Sequence, residues 1–169
     1  MFIAILQLTP IRVWALLAAL IGLGLTQARD REIGLLRATI LPLAMVALSA
    51  SSVLSAFGHF PVALGGWATG LAAALSLARE AVAARGARWS TETGLLHVPG
   101  SWLPLVLIVG LFCIKYIAGV SLAINPALAF DARFAGTCSL AYGAFSGLFL
   151  ARALTLLRLA TRPAALNAA

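Results

Sequence analysis

Charged residues are scarce in this sequence, and acidic ones are the scarcest. Only 10% of the 169 residues are charged and five are Asp or Glu, whereas 62% are hydrophobic. Soluble domains are about a quarter charged and roughly half apolar, so this composition excludes an ordinary soluble chain. Because there is too little polar surface to cover the rest in water, most of the chain must be solvated by lipid.

Cysteine and histidine are also rare, with two of each. Cys113 and Cys138 lie in apolar runs without a CxxC spacing, and His59 has no second metal-type residue near it in sequence. The sequence therefore carries no metal or redox signature. It also lacks paired carboxylates, a Ser/His/Asp or Cys/His constellation, and a Gly-rich phosphate loop after a strand. We expect no enzyme activity, no catalytic residues, no metal and no cofactor.

Positive charge is less scarce, since twelve Lys and Arg residues give a formal net charge of +7. These residues stand in short clusters between apolar runs rather than on one basic face. Such a distribution is typical of membrane topology signals and of contact with anionic headgroups. Nucleic-acid binding needs a basic surface on a folded domain, and we expect none here.

Five apolar runs divide the chain. A transmembrane helix needs about 20 apolar residues, with a lower limit near 17. We predict an all-α polytopic membrane bundle, a single membrane domain over residues 1–169, with five transmembrane helices at about 11–27, 36–57, 62–77, 101–123 and 134–157. The sequence leaves open whether residues 2–10 extend the first helix.

One longer polar segment, about residues 79–100, separates the third and fourth helices. Two short extended runs flank Glu92-Thr93-Gly94, where Gly supplies a positive φ angle, and they predict a β-hairpin. An isolated hairpin is only marginally stable in water. We therefore expect it to rest on the membrane surface or on the helix ends.

The distribution of basic residues predicts the orientation of the five helices. Nine of the twelve fall on one side of the bundle: Arg29, Arg31, Arg37, Arg79, Arg85, Arg88, Arg152, Arg158 and Arg162. Arg12 and Arg133 fall on the other side. Since cytoplasmic loops are enriched in Lys and Arg, we expect the N-terminus outside and the C-terminus in the cytoplasm, with the 79–100 hairpin also cytoplasmic.

Small residues mark candidate packing faces. Gly66 and Gly70 in the third helix, and Gly143 and Gly147 in the fifth, have the four-residue spacing that lets another helix approach closely. The second helix carries four serines that either bond a helix backbone or simply pack as small side chains: Ser49, Ser51, Ser52 and Ser55.

The second half of the chain also resembles the first. Leu41-Pro42-Leu43 opens the second helix as Leu103-Pro104-Leu105 opens the fourth, and the two glycine pairs occupy corresponding places. One interpretation is a single helix followed by two parallel hairpin repeats, a layout found in some transporters. The other is chance similarity among segments rich in Ala, Leu and Gly.

Lys115 stands inside the fourth apolar run, about 12 Å from its outer end at 1.5 Å per residue. A charged lysine at the centre of a span costs about 2.5–3.5 kcal/mol on insertion scales. One hypothesis is that it reaches the outer interface or pairs with Asp131, tying two helices together. The other is that it lines a cavity and binds an anion or a lipid headgroup. Lys115 would share that cavity either with Tyr116 or with three residues of the fifth helix: Cys138, Tyr142 and Ser146.

Three segments carry a resemblance to a known group of proteins: residues 96–105 (LHVPGSWLPL), 112–116 (FCIKY) and 143–148 (GAFSGL). They resemble a family of small, uncharacterised bacterial inner-membrane proteins. The resemblance implies the location and no activity. We therefore expect a non-catalytic accessory or partner-binding membrane component, with the lipid bilayer and either a membrane protein or a second copy as partners. The alternative is a small carrier or channel with its site near Lys115.

Overall fold

The computed structural model of the chain describes residues 10–58, 60–78, 82 and 85–161. This part of the chain contains five α-helices, one in each predicted apolar run: α1 Ile11–Thr26, α2 Leu35–Phe57, α3 Pro61–Leu77, α4 Leu103–Ile124 and α5 Ala132–Thr161. The largest difference from the predicted ends is at α5, which continues to Thr161. Residues 2–9, His59, Arg79 and Arg162, which enter the predictions above, lie outside the described residues.

Helix length separates the five helices into two groups. In the described part of the chain, α2, α4 and α5 are long and apolar enough to cross a membrane, with 23, 22 and 30 residues. The helices α1 and α3 are apolar but have only 16 and 17 residues. At 1.5 Å per residue these two are about 24–26 Å long, against about 30 Å of bilayer hydrocarbon. Crossing by all five helices therefore stays a prediction.

Proline and short polar side chains set several helix ends. Pro61 and Pro104 lie in the first turns of α3 and α4, where the missing N–H would have no partner anyway. Asn125 Oδ1 accepts from the Ala127 N–H at 3.2 Å and opens a 3₁₀ helix, Pro126–Phe130. Asp131 Oδ1 then accepts from the N–H groups of residues 133 and 134, at 2.7 and 3.3 Å. These bonds satisfy donors that the first turn of α5 leaves open.

The last helix, α5, is the centre of the bundle. It packs against α2, α3 and α4, whereas α1 packs mainly against α4. One buried cluster joins α5 to α2 and α3: Val53, Phe57, Ala63, Ala135 and Tyr142. A second joins α5 to α4: Leu107, Ile108 and Phe149. The helices alternate in direction, so α2 and α4 begin at the end of the bundle where α1, α3 and α5 finish.

The closest helix contact is between α3 and α5, which run parallel. A Cβ atom on Gly70 would clash with the Leu140 carbonyl oxygen, and one on Gly143 with the Trp67 carbonyl oxygen. A Cβ on Gly147 would lie 2.5 Å from the Leu71 carbonyl oxygen. Only glycine allows the two backbones to approach this closely. The two glycine pairs noted in the sequence therefore face each other across one interface.

A small antiparallel sheet covers the end of the bundle where α1, α3 and α5 finish, which we call the sheet end. Its strands are β1 Arg31–Ile33, β2 Arg88–Ser90 and β3 Leu95–Val98, in the order β1-β3-β2. The hairpin of β2 and β3 was predicted, and Gly94 in its turn has φ +64°. The strand β1, between the first and second predicted helices, was not predicted. The fold is mostly helical, as predicted, and carries this three-stranded sheet at one end.

The strand β1 and the helix α5 together explain why the hairpin of β2 and β3 is ordered. Ile33 pairs with Leu96 across β1 and β3, and Leu96 and Val98 pack against Leu156 near the end of α5. A hydrogen bond also joins the segment before β1 to the segment before α4: Asp30 Oδ1 accepts from the Gly100 N–H at 2.6 Å. The sheet is therefore an integral part of the bundle rather than a separate surface hairpin.

Candidate binding site at Lys115

Lys115 lies close to the middle of α4. The helix runs from Leu103 to Ile124, so its midpoint falls between Cys113 and Ile114. At 1.5 Å per residue Lys115 is about 2 Å from that midpoint and about 14 Å from the end at Ile124. It is therefore slightly deeper than the 12 Å that the sequence predicted.

The ammonium group of Lys115 makes a contact that the sequence did not predict. Its Nζ donates to Ser52 Oγ of α2 at 3.0 Å, and Ser52 Oγ donates in turn to the Leu48 carbonyl oxygen at 2.7 Å. An ammonium has three N–H donors and no acceptor. In the described part of the chain, Ser52 is the one hydrogen-bond partner of Nζ, so two donors remain for another group.

Two cavities meet at Lys115. The larger, which we call the α1–α4 cavity, measures about 520 Å³ and is lined by Val13 and Leu16 of α1 and by Phe112, Lys115 and Tyr116 of α4, among others. The smaller, the central cavity, measures about 240 Å³ and extends between α1, α2, α4 and α5. Leu16, Phe112 and Lys115 line both. The two spaces are therefore neighbours with a common wall.

The walls of these cavities are almost entirely apolar. Among the described residues, Lys115 is the one charged side chain that lines either of them. The polar remainder is small: Ser49, Ser52 and Tyr142 line the central cavity, and Tyr116 lines the larger one. A lone cation beside apolar walls suits a molecule with one acidic group and an apolar body.

The structure places Tyr116 and Tyr142 at the cavities, whereas Asp131, Cys138 and Ser146 line neither of them. Tyr116 lies beside Lys115, and the rings of Tyr116 and Phe112 stack with centroids 6.2 Å apart. Tyr142 is 4% exposed and lines the central cavity. Asp131 lines neither cavity; its carboxylate is exposed and caps α5. Lys115 donates to Ser52 and not to Asp131.

The serines of α2 have two different roles. Ser51, Ser52 and Ser55 donate to carbonyl oxygens of their own helix, at 2.9, 2.7 and 3.2 Å. Ser49 instead donates across the bundle to the Tyr142 carbonyl oxygen at 3.2 Å and accepts from Trp67 Nε1 at 3.0 Å. All four serines therefore donate to a helix backbone, either their own or that of a neighbouring helix. Nothing in the sequence indicated that Ser52, rather than an acid, would contact Lys115.

Long apolar helices, a close contact at glycines and apolar cavities define the class: a small helical protein that, in its described residues, has three helices able to cross a membrane. The chain belongs to DUF6622, a family of unknown function whose model matches residues 1–167. No curated protein and no solved structure matches the chain. The family description assigns no activity, so a function has to be argued from the site itself.

Proposed function

We propose that this chain is a non-catalytic integral membrane component that binds an anionic amphiphile, with the acidic head at Lys115 and the apolar part in the adjoining cavities. One observation carries the proposal. Lys115 is the single charged residue among the described residues that line the α1–α4 cavity and the central cavity. A lipid or fatty acid combines the same two properties, one anionic group and a long apolar body.

The size and the energetics of the site support this assignment. Ligand cavities in proteins range over about 300–1,000 Å³ and are mostly apolar with a few placed polar groups, and the larger cavity measures about 520 Å³. A lysine near the middle of a span costs about 2.5–3.5 kcal/mol when its charge is uncompensated. An anionic head that accepts the two remaining N–H donors would offset much of that cost.

The proposal includes the way the chain sits in the membrane. We propose that all five helices cross a bacterial inner membrane, with the sheet end on the cytoplasmic side and the N-terminus outside. Basic residues support this orientation because those near the sheet end outnumber Arg12 and Arg133 at the opposite end. The sheet-end set within the described residues is Arg29, Arg31, Arg37, Arg85, Arg88, Arg152 and Arg158.

Native mass spectrometry of the purified full chain tests the binding proposal. The protein is extracted in a maltoside detergent and its bound lipids are identified, first as isolated and then after addition of a fatty acid or phosphatidylglycerol. Lys115→Met removes the charge at nearly constant length, and Lys115→Arg keeps it. Arg133→Met is the matched control, because it also removes one positive charge but from an exposed residue that lines neither cavity.

We expect the unaltered chain, Lys115→Arg and Arg133→Met to retain the anionic amphiphile, and Lys115→Met to lose it roughly tenfold, since a hydrogen bond to a charged group is worth about 1.5–3 kcal/mol. A folded Lys115→Met protein that retains the same lipid would overturn the proposal. An accessory role, through contact with a membrane protein or a second copy, would then be the better account.

A further inference from the structure

A second group of cationic side chains, unrelated to Lys115, surrounds a small cavity at the sheet end. The cavity measures about 50 Å³ and lies where α1 finishes, α2 and α4 begin and β1 crosses the end of α5. Its polar lining is Gln27, Arg31, Arg37 and Arg152. In the part of the chain that the structure describes, no acidic residue lines it.

Two of these side chains are deeply buried, and two donor atoms in the cluster have no acceptor. Gln27 is 6% exposed and Arg152 is 8% exposed. Gln27 Nε2 and Arg31 Nε are buried and make no hydrogen bond within the described residues. Leaving a buried donor unpaired costs about 1–3 kcal/mol, so two such donors beside one cavity indicate an acceptor that the described residues do not supply.

The remaining polar atoms of the cluster hold the side chains in place. Arg31 Nη2 donates to Gln27 Oε1 at 2.9 Å. Because the amide oxygen of Gln27 faces Arg31, its amide nitrogen faces away and has no acceptor among the described residues. Arg152 Nη1 donates to the Val82 carbonyl oxygen at 3.2 Å. Arg37 is exposed and stands at the mouth of the cavity. These contacts orient the cluster without neutralising its charge.

Among the described residues, the carboxylates nearest in sequence, Asp30 and Glu32, do not line the cavity. Asp30 Oδ1 is engaged by the Gly100 N–H, and Glu32 lies on the exposed side of β1, opposite to Arg31 and Ile33. Partial burial lowers the pKa of the Arg31 guanidinium from its ordinary value, as expected when the charged form is desolvated. Burying several guanidinium groups together is unfavourable unless an anion pairs with them.

We propose that this cluster is a binding site for a phosphate group, either of a lipid head or of a free phosphate. Arginine guanidinium groups bind phosphate oxygens in a bidentate fashion, and the unpaired Gln27 and Arg31 donors add two further hydrogen bonds. A cavity of about 50 Å³ holds roughly four water-sized groups, the scale of one phosphoryl group. The rest of a phosphate ester extends past Arg37 to the outside.

The position of the cluster along the bundle suits a headgroup phosphate. From Ala132, at the start of α5, to Arg152 is about 30 Å at 1.5 Å per residue, which equals the thickness of the bilayer hydrocarbon. An α5 that enters the hydrocarbon at Ala132 would place Arg152 at the depth where hydrocarbon gives way to headgroups. This site is at the opposite end of the bundle from the α1–α4 cavity, and it does not depend on the proposal for Lys115.

Binding measurements on the full chain in a maltoside detergent, which carries no phosphate, test the site. In one arm inorganic phosphate is titrated and the unfolding midpoint is followed; in the other phosphatidylglycerol is added and bound lipid is counted by native mass spectrometry. The variants are Arg31→Gln and Arg37→Gln. Arg158→Gln is the matched control, because it removes an exposed charge at the same end of α5 and does not line the cavity.

We expect the unaltered chain and Arg158→Gln to bind in at least one arm, and Arg31→Gln and Arg37→Gln to bind roughly tenfold more weakly, since each removes charge-assisted hydrogen bonds. A response to inorganic phosphate identifies a free-phosphate site; a response to phosphatidylglycerol alone identifies a headgroup site. Because Arg37 is exposed, Arg37→Gln keeps the test decisive even if Arg31→Gln fails to fold. No binding in either arm, or equal binding by Arg37→Gln and Arg158→Gln, overturns the proposal.

Discussion

Adding one methyl group to Gly143 should force α3 and α5 apart. An Ala Cβ at this position would clash with the Trp67 carbonyl oxygen and lie 3.0 Å from the Leu71 nitrogen. Both are backbone atoms, so no side chain can rotate away and a whole helix must move. Overpacking of this kind costs roughly 1–3 kcal/mol, and the better helix propensity of Ala returns up to about 1 kcal/mol. We expect Gly143→Ala to lose roughly 1–2 kcal/mol of unfolding free energy.

Gly65→Ala is the matched control, because a Cβ at Gly65 of α3 would meet nothing within 4 Å. Unfolding by a denaturing detergent, followed by tryptophan fluorescence, compares the two variants with the unaltered chain. We expect Gly65→Ala to be as stable as the unaltered chain or slightly more stable, because only the propensity gain remains. If Gly143→Ala and Gly65→Ala unfold at the same midpoint, the close α3–α5 contact is not a source of stability.

Three further changes probe other parts of the structure. Asp131→Ala should destabilise α5 by roughly 1 kcal/mol through loss of its cap, and an unchanged unfolding midpoint would contradict that role. Ser49→Ala removes two hydrogen bonds between helices, the one accepted from Trp67 Nε1 and the one donated to the Tyr142 carbonyl oxygen. At roughly 0.6 kcal/mol for each bond between membrane helices, we expect a loss of roughly 1 kcal/mol of unfolding free energy and a blue shift of the tryptophan emission; an unshifted emission would contradict the bond to Trp67. Leu96 is 0% exposed, so Leu96→Ala should lower the unfolding free energy by roughly 2–5 kcal/mol and make the β2–β3 turn more susceptible to protease. Protease resistance equal to that of the unaltered chain would show that Leu96 does not hold the sheet on the bundle.

The helices could be predicted from the sequence because each depends on a local signal. Apolar runs fix where they lie, and Pro61, Pro104 and Asp131 mark where α3, α4 and α5 begin. The strand β1 has no such signal. It is three residues long, two of them charged, and its partner β3 lies more than sixty positions further along the chain, as the pairing of Arg31 with Val98 shows. Only the pairing, not the composition, makes it a strand.

The candidate sites depended still more on tertiary contacts. Lys115 and Tyr142 were recognised because an ionisable or polar residue is unusual in an apolar run. The sequence suggests Asp131 as a partner of Lys115, but its carboxylate accepts from backbone N–H groups two and three residues further along the chain. Such local bonds are favoured because they require little ordering of the chain. The arginine cluster around the small cavity at the sheet end could not be predicted, because Gln27 and Arg152 each have the sequence context of an ordinary helix end and come together only where α1, β1 and α5 meet.

The central position of α5 has a consequence for biosynthesis. This helix follows the other four along the chain, yet it supplies contacts to α2, α3 and α4. At about 5–20 residues per second, the ribosome needs roughly two to six seconds to make its 30 residues. Until α5 is made, α2 and α3 lack the buried cluster that it completes, and the glycine face of α3 lacks its partner helix. Completion of the core therefore has to wait for the synthesis of α5.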